Sequence, residues 1–232
     1  MSNDNSLQSP AKAVTFGNVT IGIRRPNWVN RLVGQLVILV GDCSLSMSGA
    51  KALDASKARQ ELVAELARSE NKDAFEVAMI DFHGSAALTR DVTKATALAN
   101  DVPQLTVDRF SSGTDITAGL STALAVLARA AGTEKAYLRP VVIIFSDGMH
   151  NGPVAPDDVA RCLRERADLV TVAYGTDADE LGLRQLATSE QHFYRCTDGR
   201  ALRQFLAAVG ATLTGTMSQR RDATGALAGL GQ

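Results

Sequence analysis

The stretch VILVGDCSLSMSG, residues 37–49, decides the fold. Its first part is continuously apolar and rich in β-branched side chains, which is typical of a strand covered on both faces in a parallel sheet. It ends in one carboxylate, Asp42, and two hydroxyls, Ser44 and Ser46. From 49 to 68 apolar residues recur every three or four positions, which predicts a helix. The oxygen-bearing segment therefore lies between a strand and a helix, at the edge where open α/β sheets bind ligands.

The chemistry of this segment indicates a metal loop. One charged and two neutral oxygen ligands suit a hard divalent cation such as Mg²⁺, which retains several waters and takes few protein oxygens. The alternative is that Ser44, Ser46 and Ser48 only cap the following helix, because serine is a preferred N-cap residue. The segment alone leaves both interpretations open.

The rest of the chain predicts an α/β fold. Apolar runs predict strands at 36–41, 75–82, 86–89, 141–145, 169–175 and 192–196, and helical patterns cover 49–68, 93–101, 116–131, 156–167, 179–188 and 198–210. This alternation predicts a doubly wound, mostly parallel six-stranded sheet with helices on both faces. The run at 86–89 is predicted to be one short antiparallel edge strand, because only the turn at 83–85 separates it from the preceding strand.

Four regions are predicted. Residues 1–12 are polar and are expected to be disordered, and 13–33 form an N-terminal β-hairpin and linker, with Trp28 packing this piece on the main domain. The main domain covers 34–212. Residues 213–232 are rich in Gly and Ala and are predicted to form a flexible tail. We expect the hairpin to extend the sheet edge or to form a partner surface.

Composition excludes several functional classes. Hydrophobic residues make up 45% and charged residues 21% of the 232, as in an ordinary globular protein. The net charge of -1 gives no general attraction to nucleic acid or to an anionic membrane. Three separated cysteines form no zinc or disulfide pattern, and the start MSNDNSLQSP lacks a signal-peptide pattern. We therefore expect a cytoplasmic protein that spans no membrane.

Two more oxygen-bearing segments fall at the same predicted sheet edge. Thr114 lies in SSGTD, just before the helix at 116–131, and Asp147 follows the strand at 141–145. With the first segment they offer five oxygen-bearing side chains but only two negative charges, which leaves a divalent ion with room for water or an incoming ligand. Each has a structural alternative, with Thr114 or Asp115 as a helix cap and Asp147 in a turn.

These three segments resemble the von Willebrand factor A (vWA) domain and its metal-ion-dependent adhesion site (MIDAS). The family pattern is D-x-S-x-S, a later threonine and a later aspartate, which here are Asp42, Ser44, Ser46, Thr114 and Asp147. The resemblance implies that the two serines and the threonine coordinate the metal, Mg²⁺ or else Mn²⁺ or Ca²⁺. It implies that the aspartates contribute directly or through water. It also implies that an Asp or Glu of a partner protein fills the remaining position.

Among the branches of this family, the chain resembles the short, stand-alone bacterial A domains of the TerY-like group, which are associated with tellurite resistance and stress response. That similarity implies kinase-like or phosphatase-like partners and a binding module rather than an enzyme. One alternative is a Mg²⁺-dependent phosphatase with Asp42 as nucleophile. It lacks a general acid, because Ser44 stands where a second aspartate is needed, and His150 is the best candidate for a catalytic proton carrier. Another alternative is a scaffold with a vestigial metal site.

Overall fold

The computed structural model describes residues 13–16, 19–22, 33–107 and 109–231. The chain divides into two units, Met1–Leu32 and Val33–Gln232. In the first, β1 (Ala13–Phe16) and β2 (Val19–Gly22) pair antiparallel in a two-stranded sheet of their own. The predicted disorder of 1–12 and the packing of Trp28 concern positions outside the described residues.

The second unit is built on a six-stranded sheet. Its strands are β3 (Gln35–Asp42), β4 (Phe75–Phe82), β5 (Ala86–Lys94), β6 (Val141–Ser146), β7 (Asp168–Tyr174) and β8 (Phe193–Cys196). Their order is β5-β4-β3-β6-β7-β8, and every neighbouring pair is parallel except β4 with β5. The mixed, mostly parallel sheet confirms the predicted fold class.

Helices cover both faces of this sheet. They are α1 (Ala50–Leu66), α2 (Ala95–Leu98), α3 (Ile116–Ala131), α4 (Asp157–Arg164), α5 (Glu180–Leu186), α6 (Gly199–Ser218) and α7 (Thr224–Ala228). Successive side chains of a strand point to opposite faces. Val37 and Leu39 accordingly pack in one core with α1 and α6, and Ile38 and Val40 in the other with α3 and α4. This double coverage explains why β3 is buried along its whole length.

The strand order creates a switch point between β3 and β6. The chain leaves β3 towards α1 on one face, and it leaves β6 towards α4 on the other. The loops that follow two such neighbouring strands diverge and leave a crevice at their carboxyl ends, which is the usual ligand site of open α/β sheets. No helix in the described parts of the chain is long and apolar enough to cross a membrane.

The antiparallel edge strand β5 differs from its prediction. It runs for nine residues, past the predicted 86–89, and leaves only Ala95–Leu98 as helix α2. The predicted strand was too short because the residues after 89 are mostly polar. An edge strand has one side that faces solvent and carries charged residues such as Asp91. Its backbone nevertheless pairs with β4 as far as Lys94.

The C-terminal segment also differs from the flexible tail that its composition predicted. Helix α6 continues to Ser218, and Ala223 and Leu227 beyond it are fully buried. Thr224 donates from Oγ1 to Asp168 Oδ2 over 2.7 Å, so the segment is held by polar contacts as well as by packing. In the sequence, the apolar residues of this segment are few among many Gly and Ala residues and show no clear helical period. In the structure, they nevertheless pack against the core that α1 and α6 form with the sheet.

Candidate metal site

The five predicted residues lie at the carboxyl edge of the sheet. Asp42 is the last residue of β3, and Ser44 and Ser46 follow it in a loop with one 3-10 turn, Leu45–Met47. Asp147 comes directly after β6, and Thr114 stands two residues before α3. The side chains therefore come from the two strands at the switch point and from the start of the helix that packs behind them.

Hydrogen bonds join four of these residues into one cluster. The Ser44 and Ser46 hydroxyl oxygens are 3.0 Å apart, and Ser46 Oγ donates to Asp147 Oδ1 over 2.7 Å. The Ser44 backbone N–H donates to Asp42 Oδ1 over 2.7 Å. Thr114 Oγ1 lies 3.1 Å from the position that a Cβ on Gly148 would take, so its hydroxyl faces the backbone just after Asp147. The structure therefore brings the predicted set together.

The capping alternatives fail for the serines and for Thr114. Helix α1 begins after Gly49 and has no side-chain cap, and Ser44 makes no cap bond to the 3-10 turn that it precedes. Asp115 is the residue that caps α3, because its Oδ1 accepts the Ala118 N–H over 3.1 Å. The three hydroxyls are thus not used in capping helices.

A neighbouring loop holds Thr114 in place. The Thr114 backbone N–H donates to Asn151 Oδ1 over 2.7 Å, and the Asn151 N–H donates to Thr114 O over 3.0 Å. Because Asn151 follows Asp147 by only four residues, this pair of bonds fixes the threonine loop to the aspartate loop. Asn151 was not predicted, since a lone asparagine in a polar loop carries no signal of its partner.

Two further residues that the sequence analysis missed touch the carboxylates. Ser146 Oγ donates to Asp42 Oδ2 over 2.5 Å, and the Lys51 ammonium pairs with Asp147 Oδ2. Lys51 Nζ also lies 3.3 Å from Asp177 Oδ1. The position of Ser146 directly beside Asp147 was a usable signal, because the last residue of a buried strand rarely carries a hydroxyl without a partner. No comparable signal marked Lys51, because a lysine in the first turn of a helix is ordinarily solvated.

The electrostatics of the site follow from burial. Asp42 and Asp147 are almost fully buried. Burial raises the pKa of Asp42, hydrogen bonds from Ser146 and Ser44 oppose this rise, and the nearby charge of Asp147 adds to it. Burial is the largest single effect on Lys51 and lowers its pKa, but the hydrogen bonds to Asp147 and Asp177 and their negative charges together outweigh it, and the net shift of the pKa is upward. Two buried carboxylates and one partly exposed ammonium therefore lie together at the site.

The donor set fits a hard divalent cation. It consists of carboxylate and hydroxyl oxygens without nitrogen or sulfur, the ligand type of Mg²⁺, Mn²⁺ and Ca²⁺. Among the described residues no group of three or more His, Cys, Asp or Glu side chains could hold a metal ion. Ser46 is exposed whereas Ser44 is buried, so the cluster opens to solvent on one side.

His150 is engaged in structure rather than in the site. Its Nδ1 accepts the Ile116 backbone N–H over 3.2 Å at the start of α3, and its Nε2 is buried. A catalytic acid must present a proton to the reacting oxygen. Because one ring nitrogen is bonded to backbone and the other faces protein, this geometry weighs against the phosphatase alternative.

The raised pKa of Asp42 gives a stability prediction. A folded-state pKa above the unfolded value means that the ionised carboxylate opposes folding at pH values above both, and that this penalty vanishes below both. In chelator at neutral pH, Asp42→Asn should therefore have a Tm equal to or above that of the wild type, and the difference should shrink on acidification. Thermal unfolding followed by circular dichroism measures this. A Tm several degrees lower at neutral pH would show instead that the bonds from Ser44 and Ser146 outweigh the cost of burial.

Lys51 is expected to weaken cation binding. Its ammonium is paired with Asp147, so a divalent ion must compete with the ammonium for that carboxylate. Lys51→Met should tighten Mn²⁺ binding by about threefold to tenfold at low salt, and the gain should decrease at high salt. Calorimetric titration at two ionic strengths tests this, with Lys57→Met in the same helix as the control. Weaker binding in Lys51→Met would mean that Lys51 mainly orients Asp147.

Comparison with known proteins assigns the family. The family model of the von Willebrand factor type A domain matches residues 36–208, and the chain belongs to that family. No curated protein matches the chain significantly.

Solved structures with the same fold come from diverse sources. Proximal thread matrix protein 1 from the mussel byssus, with a zinc-occupied MIDAS motif, has 19% identity and a TM-score of 0.61, over 79% of this chain and 47% of that one. The vWF domain of the type V pili tip protein Mfa5 from Porphyromonas gingivalis has 15% identity and a TM-score of 0.64, over 81% of this chain and 96% of that one. A von Willebrand factor type A protein from Catenulispora acidiphila has 16% identity and a TM-score of 0.65, over 79% and 43%. The chain spans less than half of the byssus protein, and at these identities the likeness concerns the fold.

Proposed function

We propose that this protein is a metal-dependent protein-interaction module. The hydroxyls of Ser44, Ser46 and Thr114 bind a divalent cation directly, and Asp42 and Asp147 bind it directly or through water. The cation then captures an Asp or Glu side chain of a protein partner. The observation that carries this proposal is the hydrogen-bonded cluster of Asp42, Ser44, Ser46 and Asp147 at the switch point, with Ser46 open to solvent.

The charges explain why the partner group is a carboxylate. A divalent cation supplies an electrophilic centre for an anionic ligand. Three of the five side chains are neutral, and Lys51 offsets part of the negative charge of Asp147. The two aspartates can at most match the charge of the cation, and Lys51 reduces their contribution, so a further carboxylate is attracted rather than repelled. The buried aspartates also lie away from solvent, which strengthens these interactions.

Mg²⁺ is the cation that we propose, with Mn²⁺ or Ca²⁺ as alternatives. Mg²⁺ keeps several waters and accepts a small number of protein oxygens in octahedral geometry, which suits a set of five side chains in which the two aspartates act directly or through water. The zinc in the byssus protein is a property of that protein. Competition titrations with the three cations rank their affinities.

The setting that we propose is the bacterial cytoplasm, in a stress-response or signalling assembly that includes kinase-like or phosphatase-like proteins. Support comes from the resemblance of the sequence to bacterial A domains of the TerY-like type. The near-neutral net charge supports a protein partner over nucleic acid or a membrane. Cell fractionation with an antibody to the full chain tests the location.

Partner capture from a lysate tests the proposed function. The tagged full chain should retain its partners in Mg²⁺, release them in chelator, and recover them when Mg²⁺ is restored. Asp42→Ala should retain none under any of these conditions while giving a native circular dichroism spectrum. Retention at full affinity in chelator would contradict a metal-dependent module and favour a scaffold with a vestigial site. Steady Mg²⁺-dependent hydrolysis of p-nitrophenyl phosphate, lost in Asp42→Asn, would favour the phosphatase.

A further inference from the structure

Exposed apolar side chains concentrate around the candidate metal site. Six large apolar side chains of the described residues are strongly exposed, with exposed fractions from 54% to 72%: Leu45, Leu53, Phe110, Met149, Val154 and Leu181. Single exposed apolar residues are normal on any surface, whereas grouped ones mark interaction sites. All six follow a parallel strand at its carboxyl end, precede α3, or lie in the first turn of a helix at that edge. Such a one-sided distribution is not expected of scattered surface residues.

Four of the six belong to the loops that form the site. Leu45 stands between Ser44 and Ser46, Met149 follows Asp147 by two residues, and Phe110 precedes Thr114 by four. Val154 lies further along the Asp147 loop, where its carbonyl accepts the Thr117 hydroxyl over 2.5 Å. We call Leu45, Phe110, Met149 and Val154 the apolar rim.

Hydrogen bonds between these loops hold the apolar rim around the site. Ser46 bonds to Asp147, which connects the loop after β3 to the loop after β6. Asn151 in the loop after β6 bonds twice to Thr114, which connects that loop to the one before α3. Since the loops are connected through the site residues themselves, a ligand at Ser46 approaches these apolar side chains as well.

We propose that the apolar rim selects the partner, so that the captured Asp or Glu lies in a segment with large aliphatic or aromatic residues beside it. This inference rests on the proposed function and specifies the kind of partner. The carboxylate supplies a ligand for the cation, and the flanking side chains cover the apolar rim. Apolar contacts at the centre of an interface usually carry much of its binding energy.

Charge favours the same partner. The Arg109 guanidinium lies 4.8 Å from the centre of the Phe110 ring, which places a positive group beside the apolar rim. A partner segment with several basic residues is therefore disfavoured, and one that combines a carboxylate with apolar neighbours matches both features.

A peptide library displayed on phage tests the inference. The library carries a fixed central Glu between randomised positions and is selected on the immobilised full chain in Mn²⁺, with a parallel selection in chelator. The variant Leu45→Ser, Phe110→Ser, Met149→Ser removes most of the apolar rim. Because these side chains are exposed, the substitutions should leave folding intact. Leu181→Ser, equally exposed in α5 and outside the three loops, is the control.

The expected result is enrichment of Leu, Ile, Phe, Trp or Met beside the Glu in Mn²⁺ only. The best peptide should then bind the triple variant about tenfold more weakly than it binds the wild type or Leu181→Ser. Calorimetry should give all three proteins the same Mn²⁺ affinity without peptide. Metal-dependent enrichment without any apolar preference would overturn this inference and leave the proposed function standing. The absence of metal-dependent enrichment would contradict the proposed function itself. Metal-dependent self-association, abolished in the triple variant, would assign the apolar rim to a second copy and also overturn the inference.

Discussion

Replacing Arg59 with alanine is expected to lower the free energy of unfolding by about 3–5 kcal/mol. Arg59 is fully buried in α1, and its Nη2 donates to Asp81 Oδ1 over 2.5 Å. The guanidinium carbon also lies 5.3 Å from the centre of the Phe145 ring. Alanine would leave the largely buried Asp81 carboxylate without its cation and would open a cavity between helix and sheet. Urea unfolding measures the loss.

Arg68 in the loop after α1 provides a matched control. It pairs with Glu65 and Glu70, but its side chain is half exposed. Exposed ion pairs contribute little because solvent screens them, so Arg68→Ala should leave the free energy of unfolding almost unchanged. Similar costs for the two substitutions would show that the Arg59–Asp81 pair contributes no more than a surface pair.

Arg59 also supports the back of the metal site. A Cβ on Gly41 would lie 2.0 Å from Arg59 Nη2 and 2.7 Å from Phe145 Cζ, so the guanidinium lies directly against the backbone that precedes Asp42. Glycine is required there because any side chain would displace the arginine. The stability of α1 on the sheet and the position of the first site residue therefore depend on the same contact.

Asp42→Ala is expected to weaken Mg²⁺ and Mn²⁺ binding by at least about 100-fold, since even partners that only support metal ligands commonly contribute about 10- to 100-fold. Asp42 is one of only two carboxylates in the site, and its two oxygens bond to Ser44 and Ser146. Alanine removes a charge and the acceptor that orients the Ser44 loop. Calorimetric titration of the full chain measures the change.

Asp177→Ala is the control for a general loss of negative charge. Asp177 lies on the neighbouring loop, is exposed, and reaches the site only through Lys51. We expect this variant to bind Mn²⁺ within a few-fold of the wild type. An equal loss in both variants would mean that the cation is attracted by negative charge in general and does not depend specifically on Asp42.

The sequence was informative where burial and periodicity decide the structure. The apolar runs at 36–41 and 141–145 predicted the two strands of the switch point, because a strand covered on both faces needs apolar residues throughout. The motif residues beside those strands then indicated the site. The packing of the C-terminal segment was not evident from the sequence, because the burial of Leu227 depends on a distant core and not on local spacing.

The supporting contacts of the site were beyond sequence reasoning. The bond from Asn151 to Thr114 and the pair of Lys51 with Asp147 join residues that are far apart in the chain. Polar residues in loops are ordinarily solvated, and their partners depend on loop conformation. From the sequence, either Thr114 or Asp115 could cap α3. Only the three-dimensional arrangement shows that Asp115 is the cap and that Thr114 is not.

Anomalous X-ray scattering from crystals of the full chain grown with Mn²⁺ would locate the cation itself. We expect one strong manganese peak about 2.0–2.3 Å from the hydroxyl oxygens of Ser44 and Ser46, with Thr114, Asp42 and Asp147 as direct or water-mediated partners. We also expect one coordination position to face solvent or a carboxylate of a neighbouring molecule. A peak elsewhere on the surface, or none at this cluster at saturating Mn²⁺, would contradict the proposed metal site.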